Sequence, residues 1–141
     1  MEKKNFTMGL FSGSLDKLTA AGIVLSGAIA HDMTVDIYVL LQGARAFKKD
    51  IGANIEKLSM AENAHLKTEF VASLERLKVK PWLEFFKEAK KMGEVKIHIC
   101  GLAGKIWGGE KMEDFVDIVD DICGIGEYII KAQEADLHIF I

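Results

Sequence analysis

The chain has 141 residues, of which half are hydrophobic and 28% are charged, and its formal net charge is -3. This length fits one domain with a well-buried core, and the composition excludes a disordered chain. The negative net charge disfavours nucleic-acid binding, which needs a basic face. The longest apolar run, residues 18–30, is shorter than the roughly 20 residues that span a bilayer. We expect a soluble, cytoplasmic single domain over residues 1–141, with no nucleic-acid partner and no membrane span.

The cysteine and histidine positions bear on metal and disulfide chemistry. Cys100 and Cys123 are too few for the disulfide framework of a secreted protein and lack the grouping of a zinc site. His31, His65 and His138 are scattered and show no ligand spacing. We therefore expect no metal site and no cofactor.

The N-terminal segment predicts a strand, a turn and a helix. Residues 6–11 are apolar and end in Ser12-Gly13-Ser14, after which apolar side chains recur at helical spacing from Leu15 to Ile29. Ser12 or Ser14 is suited to cap this helix. The turn resembles a phosphate cradle in outline but lacks the spacing of a P-loop or dinucleotide motif. It is therefore either a simple cap or an anion-binding nest of backbone N–H groups.

The second strand precedes a long insertion. Residues 34–41 form a β-prone run, typical of a parallel strand covered on both faces, that should end at Gln42-Gly43 before a short helix over residues 44–49. The next strand signal is at Val95, so the helical insertion at about residues 50–80 lies between strands 2 and 3. An apolar stripe predicts an amphipathic helix beginning near residue 55, which either caps the site or meets a neighbouring subunit; its members are Leu66, Phe70, Leu74 and Leu77.

The remainder of the chain continues the alternation of helices and strands. Helix signals cover Pro81–Met92, with Gly93 as its stop, and Gly124–Gln133, whose Tyr128, Ile129 and Ala132 should face inward. Strand signals cover Val95–Cys100 and Ala135–Ile141. Residues 102–109 are a glycine-rich loop or short helix, and residues 120–123 are a brief strand or a helix extension. Helical spacing is also present at Met112, Phe115, Val116 and Val119.

This alternation predicts a three-layer α/β fold: an open parallel sheet of about five strands, flavodoxin-like, with helices on both faces. Ligands in such sheets bind beyond the carboxyl ends of the strands. The residues expected at those ends are Ser12, Gln42, Cys100 and Cys123.

Cys100 is the candidate reactive residue. It ends a buried strand and precedes Gly101, so backbone N–H groups of the following helix would favour a thiolate. Lys105 could reach an anionic adduct if a helix begins at Gly101. If residues 120–123 form a neighbouring strand, Cys123 would lie at the same edge and could resolve an oxidised sulfur as a disulfide. The alternative for both cysteines is ordinary buried packing.

Other polar residues near this strand have two readings. His98 leaves the strand on the same face as Cys100 and could activate the thiol, but a histidine inside a strand is more often a hydrogen-bonded core residue. We interpret the acidic stretch as solvated surface; it comprises Glu110, Glu113, Asp114, Asp120 and Asp121.

Taken in order, four segments resemble the DsrE/DsrF-like family of sulfur-relay proteins, to which TusD-type subunits also belong, in the subgroup often labelled peroxiredoxin-family. These are residues 11–17 with the Ala/Gly-rich helix, the second strand leading into Gln42-Gly43, Val95–Gly101 with its cysteine, and Ala135–Ile141. The resemblance implies that Cys100 accepts sulfur as a persulfide or thiosulfonate and passes it on. It also implies a DsrE-like domain, assembly into oligomers, and a small sulfur-containing anion or a sulfur-carrier protein as partner.

The leading expectation is a thiol protein that carries or transfers sulfane sulfur on Cys100, or does related thiol redox chemistry. N–H groups after Cys100, at Gly101, and near Ser12-Gly13-Ser14 would stabilise the anionic adduct. One alternative is a dithiol oxidoreductase that uses Cys100 and Cys123. Another is a non-catalytic oligomeric subunit that binds an anion or nucleotide at the Ser12 turn.

Overall fold

In the computed structural model, which describes residues 2–141, five strands form one all-parallel sheet with the order β4-β3-β2-β1-β5. The strands are β1 Asn5–Leu10, β2 Thr34–Val39, β3 Val95–Cys100, β4 Asp121–Cys123 and β5 Leu137–Phe140. The predicted three-layer α/β fold with about five parallel strands is confirmed. The brief strand is the correct alternative for residues 120–123.

Within residues 2–141, six α-helices connect and cover the strands: α1 Leu15–Ala30, α2 Leu41–Ala46, α3 Lys67–Arg76, α4 Trp82–Met92, α5 Gly101–Ile106 and α6 Ile125–Glu134. From β1 to β4 the chain moves steadily toward one edge, and it then returns past β1 to β5. Right-handed crossovers therefore place α6 on the face opposite to α1 and α4. α1 and α4 pack against each other on their face, and α6 contacts β1 on the other.

The two faces of the sheet differ in chemistry because successive side chains alternate. The α1/α4 face is apolar, with side chains exposed by no more than 6%: Phe6, Met8, Leu10, Val35, Ile37, Val39, Val95, Ile97 and Ile99. Beside this face, Phe47, Trp82 and Phe86 meet edge to face, with centroids 5.2 to 5.6 Å apart. The α6 face instead carries polar and sulfur groups, so the apolar core lies on one side of the sheet and the polar side chains lie on the other.

The second strand is shorter than its sequence predicts. It ends at Val39 rather than at Gln42-Gly43, and α2 already begins at Leu41. Leu41 has a positive φ of 28°, which turns the chain out of the sheet direction. The Trp107 indole Nε1–H donates to the Leu41 carbonyl at 2.8 Å and holds this turn. Gln42 and Gly43 therefore lie within a helix.

The insertion holds one regular helix, and it begins later than predicted. Two single 3₁₀ turns, Ile55–Lys57 and Ala64–Leu66, precede α3. Asn63 has a left-handed backbone, with φ of 51°, that interrupts a continuous helix. α3 packs Phe70 and Val71 against the core, so an amphipathic helix is present. It starts later than predicted, and Leu66 and Leu77 of the predicted stripe are 39% and 64% exposed.

Two further predictions for the C-terminal half were wrong. Residues 112–119 contain only a 3₁₀ turn, because their backbone pairs with the segment after α2: Lys49 N–H donates to Asp114 O and Val116 N–H to Phe47 O, both at 2.9 Å. In α6, Tyr128 faces inward as predicted, but Ile129 is 52% exposed. Across residues 2–141, no helix has both the length and the apolar character to cross a membrane.

Candidate functional site

A mainly apolar groove of about 500 Å³ lies at the carboxyl ends of β3 and β4. It is bordered by both cysteines and by the N-terminal residues of α5 and α6. Its lining residues are Phe11, Leu40, Leu41, Cys100, Gly101, Leu102, Lys105, Cys123, Gly124 and Ile125. Of the predicted site residues, the groove thus brings together Cys100, Cys123, Gly101 and Lys105.

Cys100 and Cys123 are paired neighbours in the sheet. The two residues are register partners on adjacent parallel strands, so their side chains leave the same face. Both thiols are free and half-buried. Cys100 is also the residue that precedes α5, the helix expected to begin at Gly101. The predicted placement of the two sulfurs at one sheet edge agrees with this pairing.

The environment of Cys123 favours its protonated form. Burial raises the pKa of this thiol most, and the adjacent Glu127 carboxylate raises it further through a hydrogen bond and its charge, to about 12. Cys123 is therefore a thiol at neutral pH. At that pH Cys123 is a weaker nucleophile than a thiolate would be.

The predicted Ser12-Gly13-Ser14 turn lines a different pocket, of about 290 Å³, together with Gln42. Lys17, Arg45 and residues 59–61 of the insertion also border this pocket. Phe11 alone lines both cavities, so the turn is adjacent to the thiol groove but separate from it. The insertion contributes to this second pocket and does not border the thiol groove anywhere in residues 2–141.

The backbone of this turn is less available to an anion than the sequence suggested. The Phe11 and Ser12 N–H groups both donate to the Ile141 carbonyl, at 2.8 and 3.1 Å, and the Leu15 N–H donates to Ser59 O at 2.8 Å. Ser14 precedes α1 with an extended backbone, but its side chain makes no capping hydrogen bond. The Ser12 N–H is therefore already occupied and is not available to an adduct on Cys100, whereas the expectation for the N–H groups of Gly13 and Ser14 stays a prediction.

His98 is the centre of a polar cluster behind the cysteines. Its ring is 4% exposed and lies between two carboxylates: Nδ1 is 2.7 Å from Asp121 Oδ1, and Nε2 is 2.8 Å from Asp36 Oδ1. Tyr38 stacks on the ring, with centroids 4.5 Å apart. His98 is thus the hydrogen-bonded core histidine that the sequence favoured.

Charge governs the protonation of this cluster. Burial alone would lower the pKa of His98, but hydrogen bonds and charges from Asp36 and Asp121 outweigh it and raise the pKa. Burial would likewise raise the pKa of Asp36, yet His98 and Lys131 hold it below its ordinary value. The two groups therefore form an ion pair at mildly acidic pH.

Several residues of this cluster escaped the sequence analysis. Asp121 belongs to the stretch that we expected to be solvated, but it binds His98, and Asp120 accepts the Ile97 N–H at 2.8 Å and pairs with Lys90. One signal was available in the sequence, the alternation of side chains between the two faces of a strand. Asp36 interrupts an apolar strand, and it lies on the same face of the sheet as Tyr38, His98 and Cys100.

Comparisons with known proteins show likeness in fold. No family model matches the chain. The sequence is 26% identical over 160 residues to the uncharacterized protein YrkE of Bacillus subtilis (strain 168), covering 99% of this chain and 98% of that protein.

Two solved structures share the architecture. One is a protein of unknown function, MTH1491 from Methanobacterium thermoautotrophicum, with a TM-score of 0.62, 10% identity, and coverage of 99% of this chain and 100% of that one. The other is the ychN protein from E. coli, with a TM-score of 0.56, 13% identity and full coverage of both chains. Both have the DsrE-like fold, which this chain therefore shares.

Proposed function

We propose that this protein carries or transfers sulfane sulfur on Cys100. The observation that supports this function best is the pairing of Cys100 with a second cysteine that is held as a thiol, in a groove at the carboxyl end of the sheet. The apolar walls would exclude water from a labile persulfide, while Lys105 at the rim offers a positive charge to an anionic donor. The resemblance of four sequence segments, taken in chain order, to the DsrE/DsrF-like sulfur-relay family also supports the proposal.

The proposed step is a thiol–disulfide type of exchange. The Cys100 thiolate attacks a sulfane sulfur of a polythionate or polysulfide donor, forming a new S–S bond while the S–S bond of the donor breaks. With tetrathionate, thiosulfate leaves with the electron pair, and Cys100 retains an S-thiosulfonate. A small sulfur-containing anion or a partner carrier protein would supply and receive this sulfur.

The intact mass of the protein after incubation with tetrathionate tests this step. We expect a single thiosulfonate adduct on wild type and on Cys123→Ser, and loss of the adduct in Cys100→Ser, because only Cys100 acts as the nucleophile. Cys123→Ser is the matched control, since it removes the registered neighbour of Cys100 on the same face. An adduct of equal yield on Cys100→Ser would rule the proposal out.

A dithiol oxidoreductase is the second candidate, favoured by the register of the two cysteines. Neighbouring strands lie about 4.8 Å apart, within the Cα separation of about 4.4 to 6.8 Å that a disulfide allows. In that case tetrathionate would yield no stable adduct on wild type. The Cys123 thiol would release thiosulfate by closing a disulfide, and two thiols would be lost together.

A non-catalytic, anion-binding subunit is the third candidate. It is favoured by the second pocket, where Lys17 and Arg45 lie beside Ser12 and Ser14. Inert thiols together with a phosphate compound retained through purification would support this reading over the other two.

A further inference from the structure

We propose that His98, Asp121 and Glu127 form a binding site for a divalent transition-metal ion of the zinc class. One ligand atom from each residue lies within 4.8 Å of the other two. The residues come from β3, β4 and the first turn of α6, and they meet above the polar face of the sheet. One imidazole nitrogen and two carboxylate oxygens form a ligand set that zinc accepts.

The distances between these atoms suit an ion after a small adjustment. A tetrahedral zinc ion with bonds of about 2.1 Å separates its ligand atoms by about 3.4 Å. His98 Nδ1 and Asp121 Oδ1 are 2.7 Å apart, so they would part slightly while Glu127 moves closer. Asp121 and Glu127 are exposed and can rotate, whereas His98 is buried and fixed. The rigid histidine would therefore set the position of the ion.

The second nitrogen of His98 is already held in the way that metal-binding histidines are held. Its Nε2 is 2.8 Å from Asp36 Oδ1, and the other oxygen of Asp36 is 3.7 Å from the Lys131 ammonium. A carboxylate behind a histidine fixes the ring orientation and tautomer, which turns Nδ1 toward Asp121, where the ion would bind. Asp36 is therefore a positioning residue for this site.

A separate observation comes from Tyr38. Its side chain is 2% exposed, its ring stacks on His98, and its hydroxyl finds no hydrogen-bond partner within residues 2–141. Zinc held by three protein ligands keeps a water molecule in its fourth position. Such a water would give the Tyr38 hydroxyl its missing partner.

The experiment is a zinc titration in the background of Cys100→Ser with Cys123→Ser. The two thiols must be removed because adjacent cysteines bind zinc by themselves. Zinc is added as the free ion and measured by competition with a chromophoric chelator. We expect about one zinc per chain, with affinity lowered at least about tenfold by Asp121→Asn and by Glu127→Gln. Glu134→Gln, at the exposed end of the same helix, is the matched control and should bind as the background does.

Asp36→Asn provides a second measurement. Loss of an outer carboxylate weakens zinc binding by roughly 10- to 100-fold without removing a ligand, provided that circular dichroism shows the fold to be retained. Absence of zinc uptake in the thiol-free background would overturn the proposal. So would affinities of Asp121→Asn and Glu127→Gln that equal that of Glu134→Gln.

Discussion

At the scale of single residues, the most unusual feature is a buried histidine shared by two carboxylates. Charged groups from three elements lie around it: Asp36 on β2, Asp121 on β4 and Glu127 on α6, while Lys131, also on α6, is 3.7 Å from Asp36. The raised pKa of His98 and the lowered pKa of Asp36 both favour the charged pair in the folded state. Folding stability must therefore depend on pH through these two groups.

The sign of this dependence follows from the directions of the two shifts. A histidine whose pKa is raised by folding stabilises the folded state fully when the pH is below 6.5, the pKa of the unfolded histidine. This stabilisation is lost as the pH rises through the pKa of the folded histidine. Asp36 stabilises above its unfolded pKa of 3.8, and that contribution is lost as pH falls through its folded pKa. The contribution of the pair is therefore largest between these limits.

We predict that the free energy of unfolding decreases from about pH 6 to about pH 9, and that His98→Gln removes most of this decrease. Urea denaturation at several pH values, in the presence of a chelator, measures it. His31→Gln, a histidine at the exposed end of α1, is the control and should retain the wild-type slope. If the free energy of unfolding had the same dependence on pH in His98→Gln and in His31→Gln, His98 would not be the cause of the decrease.

At the scale of elements, the thiol groove depends on how closely α2 approaches the end of β1. Gly43 donates its N–H to Phe11 O at 2.9 Å, and a Cβ built on Gly43 would lie 2.5 Å from the Leu10 carbonyl oxygen. That atom belongs to the backbone of a central strand and cannot move aside cheaply. Gly126 in α6 is also helical, but a Cβ there meets nothing within 4 Å.

This contrast gives a matched pair of substitutions. Gly43→Ala and Gly126→Ala both replace a helical glycine by alanine, so both gain the same helix propensity. The difference between their effects on the free energy of unfolding therefore reports the close contact of residue 43 with the Leu10 carbonyl oxygen. We predict that Gly43→Ala destabilises the protein by about 1–3 kcal/mol and that Gly126→Ala stabilises it by up to about 1 kcal/mol. Thermal or urea unfolding measures both. Equal effects of the two substitutions would contradict the packing described for α2.

The elements differ in how well sequence alone could predict them. Strands β1, β2 and β3 were predictable because their buried apolar runs are local signals, and α4 because its aromatic stripe and Gly93 are local too. Residues 112–119 were mispredicted because pairing with residues 47–49 overrides their helical spacing. The His98 cluster joins residues up to 62 positions apart, and no spacing rule describes that contact.

At the scale of the whole molecule, α6 and β5 expose an apolar surface. Its members are Ile125, Ile129, Ile130, Leu137 and Phe140, each between 41% and 57% exposed. Phe140 contacts Phe11, with ring centroids 6.2 Å apart, so this surface continues to the rim of the thiol groove. Within the described residues β5 pairs only with β1 and leaves one strand edge open. Apolar surface beside an open edge is typical of a contact between identical chains.

We predict that the protein is a homo-oligomer that assembles through this surface. Light scattering after size-exclusion chromatography should give a molecular mass that is a multiple of the chain mass. Ile129→Lys should lower the measured mass, because the substitution would bury a charge in the contact. Ile23→Lys is the control, since Ile23 is 56% exposed on α1, on the opposite side of the sheet. A monomeric wild type, or equal effects of the two substitutions, would contradict this assembly.

The central claim is that Cys100 holds sulfur that can be passed on, and cyanide-labile sulfur tests it most directly. Protein loaded with polysulfide and then desalted is treated with cyanide, which removes the outer sulfur of a persulfide as thiocyanate and returns the thiolate. The account predicts about one thiocyanate per chain for wild type and for Cys123→Ser, and almost none for Cys100→Ser. Equal thiocyanate from Cys100→Ser, or none from the wild type, would contradict it.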